Sequence, residues 1–486
     1  MRMPSAAVRT PTREILVLCV ILLANPSLWA DAQVSEQANR VALNHVTIID
    51  VTSGRLTEDV TVVLADGRIS DIGKAGAVKP PQGTPSVDAT NRFLIPGLWD
   101  MHVHIAGRYC LPLFVANGVT GVRDMHSSDP DSVLRMRAEV KTGQTLGPRI
   151  QMACMLVDGV NPFWRGSMVA ANEEEGRKAV QSLKKRGADF IKVYSKLSRS
   201  AYLGIAAEAK KEGLPFAGHV PESIDAGEAS DVGQKSMEHL YGIALACSTD
   251  EETLRKQEVE GLAKLSPRAA HSLTLRTQIK AADSFSEQKA RKLFARFIRN
   301  GTWQVPTLTM LRGLASIADA TLLGDSRLKY MPAYLRWVWN PNSGATDLSP
   351  ENVAAEKRVY EDACKLLRKM HAAGVPVLAG TDTTNPFCFP GFSLHDELGL
   401  LVDAGGFTPL EALQCATLSP ARYFGMEKEL GSVEKGKIAD LVLLQGNPLE
   451  DIHNTTKIAA VFLRGKLLAR PQLERMLAEV EAAHKK

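Results

Sequence analysis

The chain has 486 residues, 45% of them hydrophobic and 23% charged, and a formal net charge of +4 spread without a strong block. That is the balance of an enzyme-sized globular protein, and it argues against a nucleic-acid binder dependent on basic stretches and against a low-complexity scaffold. Six cysteines lie beyond the first 32 residues, widely spaced and mostly in apolar settings, which predicts buried free thiols rather than a disulfide framework.

In chain order, Arg2, Arg9 and Arg13 precede an apolar run over residues 15–24, and Ala30-Asp31-Ala32 follows with small residues at the spacing of a cleavage site. Residues 1–32 therefore read as a secretory signal, with export to the periplasm or medium and no membrane attachment after cleavage. The apolar run is too short for the roughly 20 residues a spanning helix needs. Residues 33–95 alternate apolar and polar side chains around the turn pair Asp66-Gly67, the pattern of β strands joined by a hairpin. The same texture returns in 426–486 around Arg464-Gly465, ahead of a terminal helix.

Between these ends, residues 96–425 alternate short apolar segments with helical ones. We expect parallel strands at 97–104, 119–124, 149–154, 190–194, 215–219, 236–239, 303–307 and 375–381. Eight such units in about 330 residues predict a (β/α)8 barrel, whose chemistry sits at the strand C-terminal ends. Two stretches exceed a simple unit: 247–300, polar and helical in pattern, and 311–356, where Trp337 and Trp339 suggest a pocket wall.

Candidate chemistry starts at 93–104, FLIPGLWDMHVH, where His102 and His104 lie two apart and so share one face of a strand. Further along, Lys192 (DFIKVYS), His219 (LPFAGHVP), His239 (SMEHLYG) and Asp382 (VPVLAGTD) each stand near the end of an apolar segment. Imidazole nitrogen and carboxylate oxygen are the donors that suit zinc and neighbouring divalent ions. Tyr194, Tyr241 and His395 are candidate substrate contacts, and Arg123-Asp124 reads as a structural ion pair at the rim.

This ordered set resembles the metal-dependent amidohydrolase superfamily, in particular its imidazolonepropionase-like and prolidase-like binuclear branch. The resemblance spans about residues 41–468. It implies a small composite β-sandwich built from both termini beside the barrel, and two divalent metal ions, zinc being the expectation. His102, His104 and Asp382 would hold one ion and His219 and His239 the other, bridged by a carboxylated Lys192, with Asp382 also the catalytic acid/base. An unmodified ammonium has no lone pair to offer, so Lys192 needs that modification to act as a ligand. The implied activity is hydrolysis of an amide C–N bond in a small molecule, a dipeptide or N-acyl amino acid first, by a metal-activated hydroxide. The alternatives are a cyclic-amide or lactone hydrolase of the same superfamily, and a non-catalytic exported metal- or solute-binding protein. A homo-oligomer is compatible with either.

Overall fold

The computed structural model describes residues 40–164, 166–343 and 348–485. The expected signal segment, 1–32, lies outside the described residues.

Two hairpins tie the ends of the chain together. Leu56–Ala65 and Arg68–Lys74 join through Asp66 and Gly67 at φ 51° and 78°, and Ile458–Leu463 and Lys466–Ala469 join through Arg464 and Gly465 at φ 50° and 77°. Both turn pairs occupy the left-handed region that a two-residue hairpin requires. They also meet: a Cβ added to Gly465 would lie 3.1 Å from Gly67 Cα, and Ala439 bridges them, its N–H donating to Gly67 O and its O accepting from Gly465 N, each at 2.9 Å. One eight-stranded sheet results, in the order Lys466–Ala469, Ile458–Leu463, Leu441–Leu444, Phe93–Pro96, Arg40–Ile49, Leu56–Ala65 and Arg68–Lys74, with Ser86–Asp88 pairing on Arg40–Ile49. Its apolar face, including Leu43, Val62, Leu64, Leu94, Leu441 and Phe462, forms a hydrophobic cluster separate from the main core.

Between these ends lie the parallel strands. Leu98–Val103, Val119–Asp124 and Arg149–Met152 pair in that order. Leu156–Asp158, Ile191–Val193, Phe216–Gly218, Ser236–Glu238 and Trp303–Val305 form a second parallel run. The expected strand at 149–154 stops at Met152, and after Cys154 at φ 65° the chain resumes as Leu156–Asp158 against the next neighbour. The expected eighth strand, 375–381, is not a strand: Val377 makes a single bridge to Gln304, and Thr383 one to Val103. The segment is nonetheless hydrogen-bonded on both sides, through Leu378 N to Gln304 O and Met101 N to Ala379 O, each 2.9 Å. Asp382 at φ 57° then turns it away.

The helices between strands start and stop where local chemistry requires. Ser198 accepts from Ala201 N to begin Arg199–Glu212, and Gly213 at φ 68° ends it. The 247–300 stretch carries three helices, Glu251–Leu262, Pro267–Asp283 and Glu287–Asn300. In 311–356, Trp339 is buried against Phe387 and Phe389 and Trp337 is exposed, so neither tryptophan forms the expected pocket wall. All six cysteines in the described residues are free.

Candidate metal centre

His102 lies at the C-terminal end of Leu98–Val103 and is fully buried, while His104, one residue beyond that strand, is partly exposed. Each ring is oriented by its Nδ1. That atom of His102 meets Glu238 Oε2 at 2.7 Å, and that of His104 meets the His126 carbonyl at 2.7 Å. His104 Nδ1 therefore carries the proton, and both Nε2 atoms turn to Asp382 Oδ1, at 3.3 Å from His102 and 3.0 Å from His104. His239 Nδ1 is 2.7 Å from Thr307 Oγ1, and His219 Nδ1 is 2.9 Å from Ser195 Oγ. The rings cluster, with centroids 4.7 Å apart for His102–His239 and 5.0 Å for His219–His239.

Space at the centre is kept by Gly380, where an added Cβ would lie 2.9 Å from His102 N and 2.6 Å from Val305 Cγ1. Asp100 fixes this end of the first strand to the eighth segment, accepting Thr381 N at 3.0 Å and Thr381 Oγ1 at 2.7 Å. Behind His102, the fully buried Glu238 accepts Arg123 Nη2 on both oxygens, at 2.9 and 3.1 Å, and Ser236 Oγ at 2.6 Å. The expected Arg123–Asp124 pair is thus corrected. Arg123 reaches across to Glu238, while Asp124 accepts Ile105 N at 2.8 Å.

Charge balance favours lone-pair donors. Burial holds the His102 and His219 imidazoles well below the usual histidine range, aided by the Lys192 charge, and burial pushes His239 down to about 3. For His104, burial lowers the pKa, but the adjacent Asp382 carboxylate outweighs it and the net shift is upward. Burial brings the Lys192 amine down to about 8, against the opposing charges of Glu238 and Asp382. Lys192 is 1% exposed, and its amine makes no hydrogen bond among the described residues; its Nζ lies 5.9 Å from the Tyr194 ring centroid.

The donors present fit a divalent cation. Ligand atoms of His102, His239 and Asp382 all lie within 4.8 Å of one another. His102 Nε2 and Asp382 Oδ1 are buried without a hydrogen-bond partner, an unpaired donor set that a cation would satisfy.

Beside the centre opens a cavity of about 400 Å³, lined among others by His219, Tyr194, Tyr241, Phe163 and Trp164. Tyr194 stacks at 4.0 Å between centroids on His219, and its hydroxyl accepts Trp164 Nε1 at 2.9 Å. The helices of 247–300 supply another wall through Glu258, His271 and Gln278, so this insertion borders the cavity. A second cavity of about 260 Å³ reaches His239 and shares Leu240, Gln278 and Val359 with the first. His395 lies in neither lining. It is buried elsewhere, with Nδ1 at 2.9 Å from Thr455 Oγ1 and Nε2 at 3.0 Å from Asn117 O, and so does not join the expected substrate contacts.

The sequence profile of the amidohydrolase family matches residues 93–468. The chain belongs to that family. It is an enzyme, a hydrolase acting on carbon–nitrogen bonds, in a family that is typically metal-dependent. It is similar to the ochratoxinase of Aspergillus niger, with 23% identity over 89% of this chain and 87% of that protein. The imidazolonepropionase of Thermoplasma acidophilum is 23% identical over 85% of this chain and 90% of its own length. In fold, the amidohydrolase resembles a putative prolidase from Bifidobacterium longum, at a TM-score of 0.67 with 24% identity, covering 91% of this chain and 98% of the other.

Proposed function

We propose that this amidohydrolase is an exported binuclear metal enzyme that cleaves the amide bond of a dipeptide or N-acyl amino acid. In this reading residues 96–425 close as a (β/α)8 barrel beside a β domain made of 33–95 and 426–486, and residues 1–32 are removed on export. Supporting the barrel are the bridges that flank 375–381, and supporting the substrate class is similarity to the prolidase and the ochratoxinase. The observation that carries the proposal is the buried, partnerless pair His102 Nε2 and Asp382 Oδ1 in reach of His104 and His239.

His102, His104 and Asp382 would hold one divalent ion, zinc by expectation, and His219 and His239 a second, with Lys192 between them. Lys192 would become a ligand once its neutral amine adds to carbon dioxide, forming an N–C bond, releasing one proton and leaving a carboxylate. Two bound divalent ions would supply a Lewis acid for the scissile carbonyl and bring the pKa of a bound water towards neutral. Asp382 then takes the proton of the attacking water and delivers it to the leaving nitrogen, which would otherwise depart as a very poor amide anion. Tyr194 and Tyr241, whose hydroxyls burial pushes up and so keeps protonated, can donate to the carbonyl oxygen.

A screen of the metal-loaded mature protein against dipeptide and N-acyl amino acid libraries tests the reading. Release of free amine from members of these libraries is expected. Turnover confined to lactones or cyclic amides would transfer the site to the alternative hydrolase, and no turnover of any dipeptide or N-acyl amino acid with metal bound would overturn the proposed substrate class.

A further inference from the structure

The cavity beside His219 holds two acids that the chemistry above does not use. Glu258, on the helix Glu251–Leu262, is 5% exposed, and Glu222 follows His219 by three residues. Both line the cavity, and Glu222 Oε2 is a buried oxygen with no hydrogen-bond partner. Neither acid has an ion-pair partner among the described residues. The nearby cation, Arg255, is spent elsewhere: its Nη1 donates to the carbonyls of Glu222 and Ile224 at 3.1 and 2.5 Å, and its Nη2 to Glu251 Oε1 at 2.8 Å. The third acid of the lining, Glu356, accepts His271 Nε2 at 2.6 Å, so it is already engaged.

Arg255 also borders the cavity and its charge partly offsets the rise at Glu258, but it forms no ion pair with either acid, and two carboxyl groups enclosed together are costly, because each loses water and each repels the other. Burial accordingly pushes Glu258 up to about 7 and Glu222 well above the usual carboxylate range, the latter with the Glu258 charge adding to the rise. The rest of the lining is largely aromatic and aliphatic, with Phe163, Trp164, Tyr194, Tyr241 and Leu245. Such walls hold the methylene stem of a long side chain and attract a cation through their ring faces. The volume falls within the roughly 300 to 1,000 Å³ of small-molecule sites.

We infer that Glu222 and Glu258 form a selectivity subsite for a cationic group, an ammonium or guanidinium carried on an aliphatic stem, in the substrate of this enzyme. The inference rests on the amide-hydrolase reading for the word substrate, but the subsite itself is a binding property. Two sources could present the cation, a basic side chain or a free α-amine, and the probes below separate them.

Calorimetric titration of the full metal-loaded protein at neutral pH would use lysine, norleucine and hexanoate. Lysine and norleucine differ in the ε-ammonium alone, and norleucine and hexanoate in the α-ammonium. Lysine should bind about 10-fold or more tightly than norleucine, as expected for a desolvated charge pair. Glu258→Gln and Glu222→Gln, each near-isosteric, should each bring that ratio towards one, while the wild-type ratio itself depends on no variant folding. If lysine and norleucine tie but norleucine exceeds hexanoate with the same glutamate dependence, the cation is the α-amine and the subsite stands. Equal binding of all three probes, binding of none, or a ratio that survives both substitutions would overturn it. Lysine preference with no cleavage of any dipeptide or N-acyl amino acid would remove the hydrolase reading and leave the subsite. Cleavage of neutral-ended substrates without any cation preference would do the reverse.

Discussion

Replacing Glu238 by glutamine probes the support behind the centre. Glu238 has two oxygens and accepts from three side chains, Arg123 Nη2 on both, Ser236 Oγ on one and His102 Nδ1 on the other. A glutamine nitrogen cannot accept, so either orientation sets it against a donor, and the Arg123 charge loses its counter-ion while both side chains remain 0% exposed. Removing one partner of a buried pair costs about 3–5 kcal/mol, a large share of the roughly 5–15 kcal/mol that holds a protein folded. Where the amide nitrogen faces His102 its ring also loses the acceptor that fixes it, and otherwise that acceptor is a weaker, neutral oxygen; loss of such a supporting contact lowers metal affinity about 10- to 100-fold. Urea unfolding and titration against a competing chelator measure the two effects. In the double variant Arg123→Met, Glu238→Gln, part of the stability should return, because no charge is left buried alone. A single variant with wild-type stability and wild-type metal affinity would refute the reasoning.

Asp382→Asn should keep much of the metal yet lose about 100-fold or more in turnover, since an amide offers an oxygen but is not a competent base. Near-normal turnover in a correctly folded variant would remove Asp382 from proton transfer. A pH series isolates Glu258, whose folded-state pKa is raised from 4.5 to about 7 by burial. The folded chain keeps a proton that the unfolded chain releases, so stability should fall as pH rises through this window and level off above it, by on the order of 3 kcal/mol. Urea unfolding of wild type and Glu258→Gln between these limits should show a loss larger in wild type by about that amount, the other buried acids contributing to both, and parallel curves would contradict it.

The candidate centre was legible in the sequence because its donors obey strand geometry. His102 and His104 sit two apart, and Lys192, His219 and His239 each lie in or immediately after a short apolar strand, so alternation alone fixes which way they point. Both hairpins were equally legible, from Asp66-Gly67 and Arg464-Gly465. The partners of the donors were not. Glu238 precedes His239 directly, and what makes it matter is its contact with His102, 136 positions away. The available signal was an acid two residues after Ser236 on the same strand face. Thr307 and Ser195 are short hydroxyl residues like dozens of others until the fold brings them to His239 and His219. His395 and Trp339 misled for the converse reason: their chemistry suits a pocket, but packing spends them in contacts to Thr455, Asn117, Phe387 and Phe389. The eighth segment failed as a strand because its hydrogen bonds, to Gln304 on one side and Met101 on the other, do not form a continuous ladder, a distinction that lies in pairing and not in composition.

Lys192 offers the most direct test of a two-metal centre. Its buried amine, brought down to about 8, stands among Glu238, Asp382 and the histidines, and carboxylation would place negative charge between two cations that otherwise repel. Elemental analysis of purified wild type and Lys192→Ala, each saturated with zinc and then desalted, counts the ions per chain. The account predicts about two in wild type and one or fewer in the variant. One ion in both proteins, or two ions retained in Lys192→Ala with full activity, would contradict it and leave a mononuclear site.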